Sequence, residues 1–208
     1  MNKPKVCVLD YGSGNVRSVY NILKYLGHDV AVSNEKSAIK NCSHLILPGV
    51  GSFGSAMEKI TAKIPIDCLE NSVLNGGKPF LGICVGMQIL ADEGNEFSKV
   101  DGLGWIGGSV NKLSCGDLAL PHVGWNEITI NQNMSIFDKL KEHKDFYFVH
   151  SYAFDTDHCD HILAYTDYGS KFVSVVNKEN IYGFQFHPEK SQRAGQLMLN
   201  NFIKQKQS

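Results

Sequence analysis

One cysteine of the 208-residue sequence stands between two glycines, in "KPFLGICVGMQIL" over residues 78–90. A G-x-nucleophile-x-G run between an apolar strand pattern and a helical pattern has the form of a nucleophile elbow, whose glycines permit a sharp strand-to-helix turn. Such a turn would hold the Cys84 thiol out toward solvent at a helix N-terminus, where unsatisfied N–H groups and the helix dipole favour a thiolate. The competing possibility is a buried structural cysteine, because free cysteine packs as a small hydrophobe. A distant segment, "YGFQFHPEK" over residues 182–190, shifts the balance by placing His187 and Glu189 at the end of an apolar strand. Residues i and i+2 of a strand point the same way, and Pro188 between them forces a turn. In either geometry the carboxylate can orient the imidazole, as the third member of a triad orients its base. His187 is then the candidate base and acid for Cys84, with Glu189 holding its tautomer. Among the other histidines, His150 in "FVHSY" comes nearest to an equivalent setting.

Positioning these groups requires an alternation of strands and helices. "KVCVL" at 5–9 is a short apolar run closed by "DYGSGN". After it, "VRSVYNILKYLG" sets Val16, Val19, Ile22, Leu23 and Leu26 at helical spacing, with Gly27 as the stop. "DVAVS" and "HLILPG" read as further strands, the second followed by a glycine-rich turn and a helix near residues 52–60. Short strands alternating with helices predict βαβ units and a parallel sheet covered on both faces. "KPFLGI" is then the strand entering the elbow and "GMQILADE" the helix leaving it. From about residue 103 the runs become extended and punctuated by glycine, aspartate and asparagine, which predicts a strand-rich, partly antiparallel half. "SQRAGQLMLNNFIKQ" returns to helical spacing at the end. No repeat, low-complexity tract or linker divides residues 1–208, so a single domain is expected.

Composition narrows the chemistry. The 20 basic and 21 acidic residues nearly balance, which gives no field to draw nucleic acid or an anionic membrane. The six cysteines form no CxxC pair or tight cluster, so neither a zinc site nor a disulfide framework is indicated, and reduced thiols in a cytoplasmic protein are expected. No apolar run approaches the ~20 residues of a membrane span.

"LPGVGSFGSAM", "GICVGMQ" and "FQFHPEK" together resemble the three signature blocks of the class I glutamine amidotransferases, which are triad-type glutaminases with a three-layer α/β/α fold. More narrowly, "DYGSGNVRSV", "PHVGWNEI", "FVHSY" and "FHPEKSQ" resemble the glutaminase subunits of imidazole glycerol phosphate synthase over nearly the whole chain. The resemblance implies hydrolysis of L-glutamine through a thioester on Cys84, with no metal or organic cofactor. It also implies ammonia transfer, within a heterodimer, to a (β/α)8-barrel cyclase subunit (HisF-like) of histidine biosynthesis. It makes Cys84, His187 and Glu189 the triad and "PGVG", residues 48–51, the oxyanion loop, with the Val50–Gly51 peptide and the Val85 N–H as donors. It places Gly49, Gln88, Glu96, Ser151 and Tyr152 around the substrate, and Asn15, Trp125 and Lys190 at the face toward the cyclase. "GLGWIGGSV" departs from the family's pattern at Trp105 and Gly107. That departure leaves open a branch feeding ammonia to a barrel partner in nucleotide-sugar amidation for surface glycans. The rival readings are another triad-type glutaminase, such as those of guanylate or anthranilate synthesis, a glutamyl-peptide hydrolase, or a catalytically silent regulatory subunit.

Overall fold

In the computed structural model, residues 5–12, 15–140, 143–156 and 158–207 are described. The first half runs β1 (Lys5–Val8), α1 (Val16–Tyr25), β2 (Asp29–Val32), α2 (Lys36–Asn41), β3 (His44–Gly49), α3 (Phe53–Lys63) and α4 (Ile66–Glu70). A π turn, Asn71–Asn75, continues α4, and β4 (Phe80–Cys84) leads directly into α5 (Val85–Gln88). The second half is mostly strand: β5 (Glu93–Asn95), β6 (Lys99–Asp101), β7 (Ser109–Lys112), β8 (His122–Glu127), β9 (Thr129–Ile130), β10 (Asp145–His150) and β11 (Tyr152–Asp155). It closes with β12 (Ile162–Tyr168), β13 (Ser170–Lys178), β14 (Ile181–Phe184) and α6 (Gln192–Ile203).

The central sheet has the order β2-β1-β3-β4-β14-β13-β12-β9. Strands β2 to β14 in that order pair in parallel, whereas β13, β12 and β9 continue it antiparallel. Every residue of β3, β4 and β14 is buried. Because neighbouring strand residues face opposite ways, both faces of the sheet must be covered at its centre, as parallel sheets require. Parallel pairing also puts the carboxyl ends of β3 and β4 side by side, with Gly49 opposite Cys84. Beside this sheet lie an antiparallel ribbon, β10-β8, and a small sheet, β11-β7-β5-β6, that supply the other side of the cleft.

The helix expected from "GMQILADE" is cut short at Gln88. Tertiary bonds end it: the loop at 102–106 donates N–H groups to the carbonyls of Ile89, Leu90, Ala91 and Asp92 at 2.8–3.0 Å. Trp105, one of the departures from the family pattern, is a core residue in edge-to-face contact with Phe80, at the end of β4 opposite to Cys84. Gly107 lets the His158 ring approach, since a Cβ there would meet it at 3.1 Å. Among the described residues, no helix is long and apolar enough to cross a membrane.

Candidate active site

Cys84 ends β4 with φ 55° and ψ −114°, a left-handed conformation that a non-glycine residue adopts only under constraint. The flanking glycines do not take that strain. They allow close approach instead: a Cβ on Gly82 would sit 2.2 Å from the Gly86 carbonyl oxygen, and one on Gly86 would sit 2.0 Å from that of Leu47. The elbow is therefore pressed against β3, and α5 starts on the next residue. The Val85 N–H is one of the first-turn groups that have no acceptor within a helix.

The thiol is not held out into solvent, contrary to expectation from the sequence. Cys84 is only 3% exposed and lies at the floor of a cleft of about 570 Å³. The walls of β10 and β11 rise over the elbow and cover it, and the Val149 carbonyl is 3.9 Å from Sγ. His187 lines the same cleft, and its Nδ1 is 2.8 Å from Glu189 Oε1. Pro188 opens a 3-10 turn, Pro188–Lys190, that bends the carboxylate back under the ring, and both side chains are buried. Burial alone would lower the His187 pKa, but hydrogen bonds and charge from Cys84 and Glu189 outweigh it and raise the pKa to about 10.

Every residue expected around the substrate borders this cleft except Gly49, which underlies it. Val50, Gly51, Val85, Gln88, Glu96, Ser151 and Tyr152 all line the cleft. A Cβ on Gly49 would come within 2.6 Å of the Gly86 nitrogen, so its place is structural contact with the elbow. Glu96 turns its Oε2 to the Phe53 N–H at the start of α3, at 2.8 Å, and its backbone carbonyl accepts the Tyr152 hydroxyl at 2.9 Å.

The three residues expected at a partner face behave differently from one another. Trp125 is 48% exposed and edge-on to Tyr147, and the Lys190 ammonium lies over the same Tyr147 ring at 5.5 Å. Asn15 instead turns inward: its Nδ2 donates to Glu189 Oε1 and lies 3.4 Å from His187 Nδ1. The "DYGSGN" loop delivers it there, with Asn15 itself at φ 70°, while Ser13 and Gly14 of that loop lie outside the described residues.

The family model for glutamine amidotransferase class-I matches residues 7–206. The chain belongs to the class-I glutamine amidotransferases. Within that family it stands with the HisH proteins. It is 44% identical over 201 residues to the imidazole glycerol phosphate synthase subunit HisH 2 of Vibrio vulnificus, covering 96% of this chain and 94% of that one. It is 41% identical over 199 residues to subunit HisH of Leptospira interrogans, covering 94% and 97%. Among solved structures, PurLQS from Thermotoga maritima superposes with a TM-score of 0.72 at 21% identity, over 97% and 98% of the two chains, a likeness of fold.

Two features of this amidotransferase site were not legible in its motifs. Gln185, fully buried, points its Nε2 at the sulfur of Cys84 from 3.8 Å. It lies just past the end of β14, so its place two residues before His187 was the one local signal. His122 and His150 form a buried pair, Nδ1 to Nε2 at 3.2 Å, and only the adjacency of β8 and β10 brings them together. His158, Asp160 and His161, on a surface turn outside the cleft, are the one His/Asp group with ligand atoms close enough for a metal among the described residues.

Proposed function

We propose that this amidotransferase hydrolyses L-glutamine through a thioester on Cys84 and passes the ammonia to a (β/α)8-barrel cyclase subunit in histidine biosynthesis. The carrying observation is the convergence, in one cleft, of a strained cysteine with a His187–Glu189 pair that shares a buried 2.8 Å contact. The Cys84 thiolate attacks the γ-carboxamide carbon, and the oxyanion that forms is held by the Val85 N–H and the Val50–Gly51 peptide. Such fixed N–H donors act where charge develops. His187, protonated below about pH 10, gives its proton to the departing nitrogen, and ammonia leaves. Neutral His187 then takes a proton from water, the hydroxide attacks the thioester, and glutamate leaves as the thiolate is restored. Glu189 and Asn15 keep the imidazole oriented throughout. Gln88, Glu96, Ser151 and Tyr152 hold the substrate.

The name of the relatives, imidazole glycerol phosphate synthase subunit HisH, supports this acceptor. Trp125, Val123 and Val50 are exposed apolar side chains suited to a protein face. The single-domain organisation agrees with one sheet running through both halves of the chain, and six free cysteines suit a reducing, cytoplasmic setting. The test is glutamate release from glutamine by the chain alone and with a barrel cyclase subunit. Release that disappears in Cys84→Ala, and imidazole glycerol phosphate formed only with both subunits, supports the reading. Ammonia incorporated into a nucleotide sugar instead transfers the acceptor to the glycan branch, and no hydrolysis in either arm makes the chain a silent subunit.

A further inference from the structure

A buried polar chain leads from β8 to the sulfur of Cys84, and backbone groups at two points fix the direction of its hydrogen bonds. At one end, Asn126 Oδ1 accepts the Glu127 N–H at 2.9 Å, so its Nδ2 faces the Asp167 carbonyl at 2.8 Å and His122 Nε2 at 3.4 Å. His122 Nε2 therefore accepts, and its Nδ1 carries the proton that reaches His150 Nε2 at 3.2 Å. His150 Nδ1 then donates to the Tyr152 carbonyl at 2.9 Å. A carbonyl oxygen can only accept, and this one also takes Gln88 Nε2 at 2.8 Å. The second hydrogen of Gln88 Nε2 goes to Gln185 Oε1 at 3.0 Å, which leaves Gln185 Nε2 to face Cys84 Sγ at 3.8 Å. Flipping Gln88 would set its oxygen against two acceptors, and flipping Gln185 would set donor against donor.

The consequence falls on the cleft. Gln88 directs both amide hydrogens into the protein, so the atom it can present to the substrate is its Oε1, an acceptor. Resting on the glutaminase reading above, we propose that His122, His150 and Gln185 are positioning residues of this site. The histidine pair holds in place the Tyr152 carbonyl to which Gln88 donates, and so sets where Gln88 Oε1 accepts an N–H of the bound substrate, while Gln185 donates to the sulfur as it carries negative charge. All are buried among groups that satisfy them, and His122 is stacked on Tyr168 at 4.0 Å, which fixes the ring plane as well. Buried amides and imidazoles with complete partners specify one arrangement, because each alternative leaves a polar atom unpaired.

Three substitutions separate positioning from packing. His150→Phe keeps ring volume and loses both nitrogens, whereas His150→Asn puts an amide N–H where Nδ1–H stood. With one hydrogen bond worth up to a factor of about ten, His150→Phe should raise KM for glutamine about tenfold with a smaller change in kcat. His150→Asn should restore KM to within about threefold of wild type. Gln185→Leu should lower both kcat and the rate of Cys84 alkylation by iodoacetamide about tenfold, and should raise KM as well, because it removes the acceptor of one Gln88 hydrogen. Equal KM increases in the Phe and Asn variants would show that the ring only packs, and unchanged alkylation in Gln185→Leu would remove its role as a donor. If His150→Phe does not fold, His150→Gln replaces it: that amide reaches the Nε2 position only, so KM must rise there and not in His150→Asn. Alkylation is read without glutamine, so loss of the donor effect and failure of the wild-type chain to hydrolyse glutamine are separate results.

Discussion

Cys84 combines a left-handed backbone with a nearly buried side chain, and the two have opposite effects on stability. Replacing it by alanine or serine should abolish glutamate release from glutamine, because no other thiol lines the cleft among the described residues. Glycine at the same place adopts φ 55° without strain. Strain of about 1–3 kcal/mol relieved in the folded state exceeds the roughly 0.4–1 kcal/mol that glycine adds to the freedom of the unfolded chain. Cys84→Gly should therefore be more stable than Cys84→Ala by about 1 kcal/mol in urea titrations while equally inactive; a less stable glycine variant would mean that the elbow is relaxed. The histidines give two pH windows. His187 has its pKa raised to about 10, so its protonated form is favoured by folding. Its contribution to stability is complete below about pH 6.5, the unfolded value. It is lost as pH rises through about 10, where glutamine turnover should also fall because the acid for the leaving nitrogen is gone. His150 is the reverse case, pushed down to about 3 by burial above all. Its contribution is complete above about pH 6.5 and lost as pH falls toward its folded value, so urea midpoints should decline on acidification. His150→Asn should flatten that decline.

The elbow as an element depends on contacts that no side chain can share. A methyl group on Gly86 would be driven into the Leu47 carbonyl and one on Gly82 into the Gly86 carbonyl, both backbone atoms that cannot swing away. Gly86→Ala should cost about 1–3 kcal/mol, the usual range for overpacking, and should lower kcat by displacing Cys84 and the Val85 N–H together. A variant with wild-type stability would show that β3 and β4 can separate at no cost. The sequence made this element legible because its strand, glycines and helix start are all local signals. The same holds for β1, α1, β3 and α6, whose apolar spacing is regular. It hid α2 and α4, which have six and five residues and too few apolar positions to show a period. It also overstated the helix after Cys84, since the bonds that stop α5 come from residues 102–106, which local reasoning does not connect to it. In the site, Cys84, His187 and Glu189 announced themselves by neighbours in sequence. The depth of the thiol, the inward turn of Asn15 and the His122–His150 pair required β8, β10 and the "DYGSGN" loop to be in place first.

At the scale of the whole molecule, the open side of the cleft and the exposed apolar residues Val50, Val123 and Trp125 frame how a partner can act on the chemistry. Gly51 has φ 98°, and an added Cβ there would meet nothing within 4 Å. The Gly51 α-carbon is therefore uncrowded, whereas Gly49, earlier in the loop, is held against Gly86. If glycine's wide backbone range lets the Val50–Gly51 peptide take two orientations, a partner resting on Val50 biases it only by binding one state more tightly. Losing one oxyanion donor typically lowers kcat by about 10²–10³. The isolated chain should therefore bind glutamine yet hydrolyse it slowly, and the barrel subunit with its acceptor should raise kcat by at least about 10². Trp125→Ala should reduce this activation more than it changes glutamine binding, because Trp125 packs on Tyr147 outside the substrate cleft. Steady-state rates for the chain alone, with the barrel subunit, and with the barrel subunit plus acceptor measure the effect. Full activity of the chain alone would mean that the Val50–Gly51 peptide already faces the cleft, and the amidotransferase would then be a free-standing glutaminase rather than a gated subunit.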